Sequence, residues 1–192
     1  MLFRSSPPAA GECRSIFDIR QRLVVSVNYE LPFGKGLKSP LKYVIGGWEF
    51  NTILALQTGL PFHVTATDRS NTANSFGGRP IRLCNGNLPS DQRTVVQWFD
   101  TNCFAEPALN TFGNGGVHYL DTDGSKTQDL GLFKNFDFSE SKRLQFRYEA
   151  FNLWNNTNYN RPANSVSAPA TFGRITAAQP ARAMQMGLKL YF

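Results

Sequence analysis

The feature that most constrains how this chain can fold is an alternation of apolar and polar residues over long segments. The sequence ends A-M-Q-M-G-L-K-L-Y-F, in which Met184, Met186, Leu188, Leu190 and Phe192 occupy every second position. Successive side chains of a β-strand point to opposite faces, so this ending predicts a strand with one apolar face and one mixed face.

Four upstream segments show the same alternation. With the ending they predict five strands, at about 21–33, 47–65, 126–138, 142–154 and 182–192. The second segment keeps one parity for far longer than the usual strand of about five or six residues. In the third, Lys134 shares the parity of the apolar residues. A lysine facing lipid at mid-bilayer costs roughly 2–4 kcal/mol, so we expect a β-bulge to move it.

Composition excludes several classes of protein. The chain has 192 residues, enough for one domain with a sizeable core, and few of them are charged. No run approaches the roughly 20 apolar residues of a membrane helix, and the start lacks the apolar core of a secretory signal. The net charge of +6 is dispersed, so we expect no nucleic-acid partner. No catalytic, metal-binding or cofactor motif is present, and we expect neither an enzyme nor a cofactor.

Alternation alone does not separate a soluble sheet from a membrane barrel. Three features favour the barrel: the strands exceed the roughly 9–11 residues that a tilted spanning strand needs, aromatic residues gather at strand ends, and the less apolar face carries Arg, Glu, Gln and Lys. The smallest barrels have about eight strands. We therefore predict an all-β, antiparallel transmembrane barrel segment that forms part of a larger barrel.

The connections between the predicted strands alternate in length. Short turns suit the periplasmic side of such a barrel, and long loops suit the extracellular side. We expect extracellular loops at about 67–125 and 155–181, and the end of another at 1–20. External loops and the barrel lumen are where ligand contacts are expected.

The ending resembles the C-terminal sorting signal of outer-membrane barrels. The match covers Gln185, Gly187, Leu190 and the terminal Phe192. The resemblance implies that the barrel-assembly machinery reads this last strand as an assembly signal.

A second resemblance covers nearly the whole chain. The stretches that carry it read D-I-R-Q-R-L-V-V-S from Asp18, Y-E-L-P-F-G-K-G from Tyr29, G-W-E-F from Gly47, L-Q-T-G-L-P-F from Leu56, W-F-D-T-N-C-F from Trp98, T-F-G-N from Thr111, L-F-K-N-F from Leu132 and L-Q-F-R-Y-E-A-F-N-L-W-N from Leu144. In order and spacing they resemble the C-terminal end of TonB-dependent outer-membrane receptors, of the type with an N-terminal carboxypeptidase-regulatory-like domain.

That resemblance implies a barrel of about 22 strands, filled by an N-terminal plug and set in outer-membrane lipid. It also implies import of a bulky nutrient, driven by the TonB complex through an N-terminal box. The sequence contains neither plug nor box, so we expect the TonB contact to lie in a missing N-terminal region. The ligand is not readable from these residues.

A few residues are candidates for more specific roles. Cys84 and Cys103 bracket a loop-rich region, and they form either a disulfide or two unrelated thiols. Three neighbouring aromatics either contact a ligand or stabilise that loop: Trp98, Phe99 and Phe104. Arg147 and Glu149 form lumenal ion pairs or contact a ligand. His63 and His118 lie in different segments and are expected to be ordinary polar residues.

Two alternatives stay open. A complete small porin or adhesin barrel requires three more strands within 67–125, where Gly, Pro, Asn and Asp interrupt every apolar run. A soluble β-sandwich that binds carbohydrate or protein requires a second layer over the apolar faces.

Overall fold

The computed structural model describes residues 14–34, 41–71, 78–139 and 142–192. The chain divides into two compact units. The sheet unit consists of Gln21–Gln57, Ser125–Thr157 and Pro180–Phe192. The loop unit consists of Met1–Arg20, described from residue 14, with Thr58–Gly124 and Asn158–Gln179.

The secondary structure is almost entirely extended. In chain order the elements are β1 (Arg22–Glu30), α1 (Leu41–Ile45), β2 (Trp48–Gln57), β3 (Pro61–Phe62), β4 (Ile81–Arg82), a 3₁₀ turn (Thr101–Cys103), β5 (Phe104–Ala105), β6 (Leu120–Asp121), β7 (Ser125–Ser139), β8 (Lys142–Phe151) and β9 (Ala183–Tyr191). No helix in the described part of the chain is long and apolar enough to cross a membrane.

The sheet unit is one antiparallel sheet in the order β1-β2-β7-β8-β9. The antiparallel, all-β prediction is confirmed, and within the described residues β1 and β9 are edges that do not pair with each other. A sheet of five strands in this order does not close into a barrel by itself.

The pairing register brings the apolar parities of all five strands to one side. Residues directly opposite each other in neighbouring strands share a face, and one line across the sheet runs from Tyr29 through Phe50, Leu132 and Tyr148 to Met186. We call this side the apolar face. Its apolar members are Leu23, Val25, Val27, Tyr29, Trp48, Phe50, Leu54, Leu56, Leu130, Leu132, Phe136, Leu144, Phe146, Tyr148, Ala150, Met184, Met186, Leu188 and Leu190.

The apolar face is open where it runs along the edge strands. Met186 and Leu188 of β9 are 73% and 71% exposed, and Leu23 of β1 is 52% exposed. Among the described residues, no second layer covers these side chains, although a soluble sandwich would require one.

The second predicted strand is shorter than expected. It ends at Gln57 rather than near residue 65, because the chain leaves the sheet there and pairs within the loop unit. The Leu60 N–H donates to Thr122 Oγ1 at 2.9 Å. Phe62 and Val64 are then buried, at 2% and 1% exposed. The alternating segment is therefore not one long strand. Its first part is a strand of the sheet, and its second part is buried in the loop unit.

The other strand limits differ by smaller amounts. β1 ends at Glu30, and β8 ends at Phe151 rather than at 154. Asn152 and Asn155 follow β8 with φ of 50° and 53°, a left-handed conformation that asparagine tolerates and that cannot continue a strand. The predicted turn between β7 and β8 includes residues 140 and 141, which lie outside the described residues.

Lys134 stays on the apolar face, so the bulge hypothesis is wrong for this residue. The irregularity of β7 lies between Asp137 and Ser139, beyond the lysine. Lys134 is only 3% exposed, and its ammonium donates to the carbonyl of Gly46. It also lies 5.0 Å from the Phe136 ring centroid and 5.5 Å from that of Trp48. The charge is therefore turned towards backbone and aromatic rings at the end of the sheet, as a snorkelling lysine is.

The loop unit has a hydrophobic core of its own. Its buried residues are Phe62, Val64, Trp98, Phe99, Cys103, Phe104, Leu120 and Ile175. Segments distant in sequence meet there, since the Ile175 N–H donates to the Val95 carbonyl at 2.8 Å and the Trp98 N–H to the Gly173 carbonyl at 2.9 Å. The segments predicted as extracellular loops at 67–125 and 155–181 thus share a packed core in their described residues, and their extracellular position stays a prediction.

The described part of 67–125 also lacks the strands that a complete small barrel needs. Between residues 78 and 124 the structure shows only two-residue strands, β4, β5 and β6. A spanning strand requires about 9–11 residues. This stretch therefore contributes to the core of the loop unit and not to the wall of the sheet.

Candidate functional site

The second side of the sheet is polar, and we call it the polar face. The register that places the apolar positions of the five strands on one side also places the alternate positions of all five strands on this side. Its polar members are Arg22, Ser26, Asn28, Glu30, Glu49, Asn51, Gln57, Ser125, Thr127, Asp129, Asn135, Asp137, Arg143, Gln145, Arg147, Glu149, Gln185 and Lys189. Such a face suits water or polar ligands and is costly against lipid.

Arg147 and Glu149 lie together on the polar face. The Arg147 guanidinium donates to Glu149 Oε1 at 3.0 Å, and Gln185 Nε2 donates to Glu149 Oε2 at 2.7 Å. Arg147 also stacks over the Phe133 ring, 4.7 Å from its centroid. The structure thus shows the ion-pair alternative for Arg147 and Glu149. Their role as ligand contacts remains a prediction, because both side chains keep some exposure.

Two further side-chain hydrogen bonds lie on the same face of the sheet. Gln145 Nε2 donates to Asn135 Oδ1 at 2.9 Å, and Arg143 Nε donates to Asp137 Oδ1 at 2.6 Å. At Gly131 an added Cβ would lie 2.4 Å from Asn51 Oδ1, so the missing side chain leaves room for the asparagine. Sequence reasoning did not identify Gly131, because its neighbour is known only once the register is known. The polar face therefore carries several side-chain hydrogen bonds between neighbouring strands.

The last strand carries the proposed assembly signal on an open edge. Gln185 lies opposite Glu149, Gly187 opposite Arg147 and Leu190 opposite Leu144. Phe192 follows the strand and is 95% exposed. A Cβ at Gly187 would meet no atom within 4 Å. No contact within the described chain therefore requires glycine at this position.

The three candidate aromatics of the loop unit are buried, which favours the loop-stabilising alternative over contact with a ligand. Trp98, Phe99 and Phe104 are 8%, 1% and 5% exposed. The Phe99 ring centroid lies 5.8 Å from that of Phe104, and Trp98 Nε1 donates to the Asp121 carbonyl at 2.9 Å. These side chains stabilise the loop unit, which was the other alternative.

Cys84 and Cys103 form a disulfide, with 19 residues of sequence separation. Cys103 lies in the core of the loop unit, and Phe104 follows it. At Gly86 an added Cβ would lie 2.5 Å from the Phe104 ring. The bridge therefore closes a loop that packs against the aromatic core.

His63 and His118 are brought together, which their sequence positions did not indicate. Their ring centroids are 5.0 Å apart. Nδ1 of His118 contacts the Arg14 carbonyl oxygen at 2.6 Å, and the Arg14 guanidinium is bound by Asp18 and Asp121. Nδ1 of His63 is buried and has no hydrogen-bond partner among the described residues. The two rings therefore form a partly buried pair with unused hydrogen-bonding capacity.

Acidification below about pH 6.5 is expected to destabilise the loop unit. Burial lowers the pKa of His63, and the charges of His118, Arg161 and Arg79 lower it further. Below the ordinary histidine pKa the unfolded chain then binds more protons than the folded chain, so the free energy of unfolding decreases as pH falls. Urea unfolding followed between about pH 7.5 and 5.5 measures this slope. It should be smaller in His63→Gln, and a slope of opposite sign would contradict the prediction.

An open cleft lies elsewhere on the loop unit. Its lining includes Asp68, Arg69, Arg79, Thr111 and Phe112. Arg69 is paired with Glu106, whereas Arg79 has no ion-pair partner among the described residues. The Phe112 side chain is 70% exposed. The cleft therefore brings cationic, anionic, hydroxyl and aromatic side chains together.

The family model described as "Outer membrane beta barrel domain" matches residues 5–185. No curated protein and no solved structure matches the chain.

Proposed function

This chain belongs to the outer membrane beta barrel domain family, and from that membership we propose that it is a wall segment of a nutrient receptor. The bacterial outer membrane is its location, and transport or a porin-like role is the general function that the family supports. The more specific proposal is a TonB-dependent receptor whose other strands complete the barrel. This segment performs no catalysis and takes no cofactor in the proposal.

The observation that carries this proposal is the separation of the two faces. One register aligns the apolar parity of five strands on one side and a hydrogen-bonded polar network on the other. A barrel in lipid requires apolar side chains outside and tolerates polar ones in its lumen. A soluble sheet with the same apolar face would cover it.

The unpaired edges support a larger barrel. In lipid, backbone N–H and C=O groups at an open strand edge have no partner, and each such group costs several kcal/mol. β1 and β9 are edges of the described sheet. In the proposed receptor, further strands pair with β1 and β9. The likeness of the sequence to TonB-dependent receptors supports this type of barrel over others.

The antiparallel order of the strands also determines at which end of the sheet each connection lies. The residues after β2, before β7, after β8 and before β9 all lie at one end of the sheet. We propose that this end faces the outside of the cell, so that the segments of the loop unit are the extracellular connections. Ligand selection would then involve these segments and the polar face.

A conductance measurement tests the receptor against the porin alternative. The protein that carries this chain should be purified from outer membranes and inserted into planar lipid bilayers. A receptor filled by a plug is expected to stay closed at moderate voltage, and to open when urea unfolds the plug. A pore that is permanently open without urea would contradict the receptor proposal and favour a porin.

Replacing Phe192 with alanine is expected to reduce assembly into the outer membrane several-fold. The side chain is exposed and unneeded for the fold of the described chain, so the loss would report recognition by the barrel-assembly machinery. Tyr191→Ala is the matched control, because that neighbouring aromatic has the opposite parity and is not in the signal. Heat-modifiable mobility of outer-membrane fractions measures the folded protein. Equal levels of the two variants and the wild type would contradict the assembly-signal prediction.

A further inference from the structure

The charges of the sheet unit are divided unequally between the two faces of its sheet. The carboxylates of the five strands all lie on the polar face: Glu30, Glu49, Asp129, Asp137 and Glu149. Among the described residues of these strands, the apolar face carries no carboxylate, but it carries the lysines Lys126, Lys134 and Lys142. The charge on the side assigned to lipid is therefore entirely positive.

Two of these lysines lie at opposite ends of the apolar face. The segment of β7 from Lys126 to Lys134 contains nine residues, and a strand that crosses the bilayer needs about 9–11. Lys134 is buried against the Gly46 carbonyl, whereas Lys126 is exposed and lies opposite Leu56. Lys126 is therefore placed where the apolar face meets the headgroups at the end from which β7 starts.

An exposed tryptophan lies at the same end of the apolar face. Trp154 follows β8, and its side chain is 66% exposed. Its Nε1 donates to Gln128 Oε1 at 2.6 Å, and Gln128 Nε2 donates to Thr52 Oγ1 at 3.2 Å. Gln128 and Thr52 have the parity of the apolar face, so the indole lies on that face too. An exposed indole whose N–H is hydrogen-bonded is typical of the membrane–water interface.

A second cation approaches this tryptophan from the other side. Arg182 directly precedes β9 and is exposed. Its guanidinium donates to the Leu153 carbonyl at 3.4 Å. On the β7 side, the Asn156 side chain donates to the Lys126 carbonyl at 3.3 Å. The short segment 153–156 therefore contacts Lys126 through one residue and Arg182 through another, and the exposed indole belongs to the same segment.

These groups fit the phosphate of an anionic lipid. An ammonium has three N–H donors and a guanidinium has five, so each can bind a ligand in addition to its partners within the chain. Guanidinium groups bind phosphate oxygens in a forked geometry, and ammonium groups bind them as point charges. A second copy of this chain is a poorer occupant, because the same cations would face each other. Anionic headgroups attract Lys and Arg at the edge of the bilayer.

We propose that Lys126, Arg182 and Trp154 form a binding site for the phosphate of an anionic lipid headgroup, in the leaflet that meets this end of the sheet. The two cations bind the phosphate oxygens, and the indole packs against the rest of the headgroup. The site lies within the sheet unit and requires only that the apolar face contacts lipid. A porin built from these strands would carry it as well as a receptor.

Native mass spectrometry of the intact protein that carries this chain, released from detergent micelles, tests the site. Lipid A, a glycolipid with two phosphate groups, is the probe, and phosphatidylcholine, which has no net charge, is the control lipid. The double variant Lys126→Gln with Arg182→Gln should bind lipid A roughly thirtyfold more weakly, at about fivefold for each cation. Its binding of phosphatidylcholine should not change. Equal affinity of the variant and the wild type for lipid A would overturn the proposal.

A matched double variant removes the same two charges from the polar face. Arg22→Gln with Lys189→Gln serves this purpose, and Arg22 lies at the same end of the sheet as Lys126. This control should bind lipid A as the wild type does. Equal losses in the two double variants would overturn the proposal, because net charge and not the position of the cations would then determine binding.

A charge-preserving exchange separates binding from folding. Lys126→Arg with Arg182→Lys keeps both cations and should keep most of the lipid A affinity, whereas a loss as large as that of the glutamine variant would overturn the proposal. Heat-modifiable mobility verifies that each variant is folded before it is titrated. The conductance experiment can fail independently, since a permanently open pore that still binds lipid A through these residues would contradict only the receptor proposal.

Discussion

Phe99→Ala is expected to lower the free energy of unfolding of the loop unit by about 3–5 kcal/mol. Phe99 is 1% exposed, and its ring contacts Phe62, Phe104 and Phe172 at centroid distances of 5.9, 5.8 and 5.2 Å. Truncation removes the buried ring that these three aromatic side chains surround and leaves a cavity. The disulfide beside it limits how far the surrounding chain can collapse to fill that space.

Pulse proteolysis of the protein in lipid vesicles, at increasing urea, measures this loss without requiring the loop unit to fold alone. Phe112→Ala is the matched control, because that phenylalanine is 70% exposed. Exposed substitutions usually change stability by about 0.5 kcal/mol or less. If both variants lost stability equally, burial in the core of the loop unit would not explain the effect.

Val25→Lys is expected to destabilise the protein in lipid by about 2–4 kcal/mol, and Val24→Lys by less than about 1 kcal/mol. The two valines are adjacent in β1 and similarly exposed, at 41% and 50%. Val25 lies opposite Leu54 on the apolar face, whereas Val24 lies opposite Ala55 on the polar face. The only large difference between the two substitutions is which side of the sheet receives the charge.

Urea titration of folding into lipid vesicles measures both variants. Equal losses would contradict the assignment of the apolar face to lipid, and a larger loss for Val24→Lys would reverse it.

The sheet was largely predictable from the sequence. Apolar residues at every second position indicate directly that the two faces of a strand have different surroundings. All five segments that alternate became strands of one sheet. Lys134 shows the limit of that reasoning. Its parity placed it correctly on the apolar face, but the carbonyl of Gly46 that receives its charge comes from the turn before the paired strand. Such a contact depends on register and turn geometry, which parity does not encode.

The loop unit was much less predictable. Alternation continued past Gln57 while the chain changed partners, so Phe62 and Val64 were assigned to the wrong environment. The pairing of His63 with His118 joins positions 55 residues apart in sequence, and no local pattern indicates it. Residues such as Trp98 and Phe99 are ambiguous for the same reason, because a loop aromatic can serve a core or a ligand equally well.

The loop unit is built from segments that are far apart in the sequence, so its parts become available for folding at different times during synthesis. Its core draws Ile175 from a segment that follows β8, while Phe62 and Phe99 come from a segment that precedes β7. The disulfide can close early, since both cysteines lie in the first segment. The hydrophobic interior cannot close until Ile175 and its neighbours, which follow β8 in the chain, have been synthesised. Until that last segment is present, the aromatic side chains of the first segment stay exposed to chaperones and proteases.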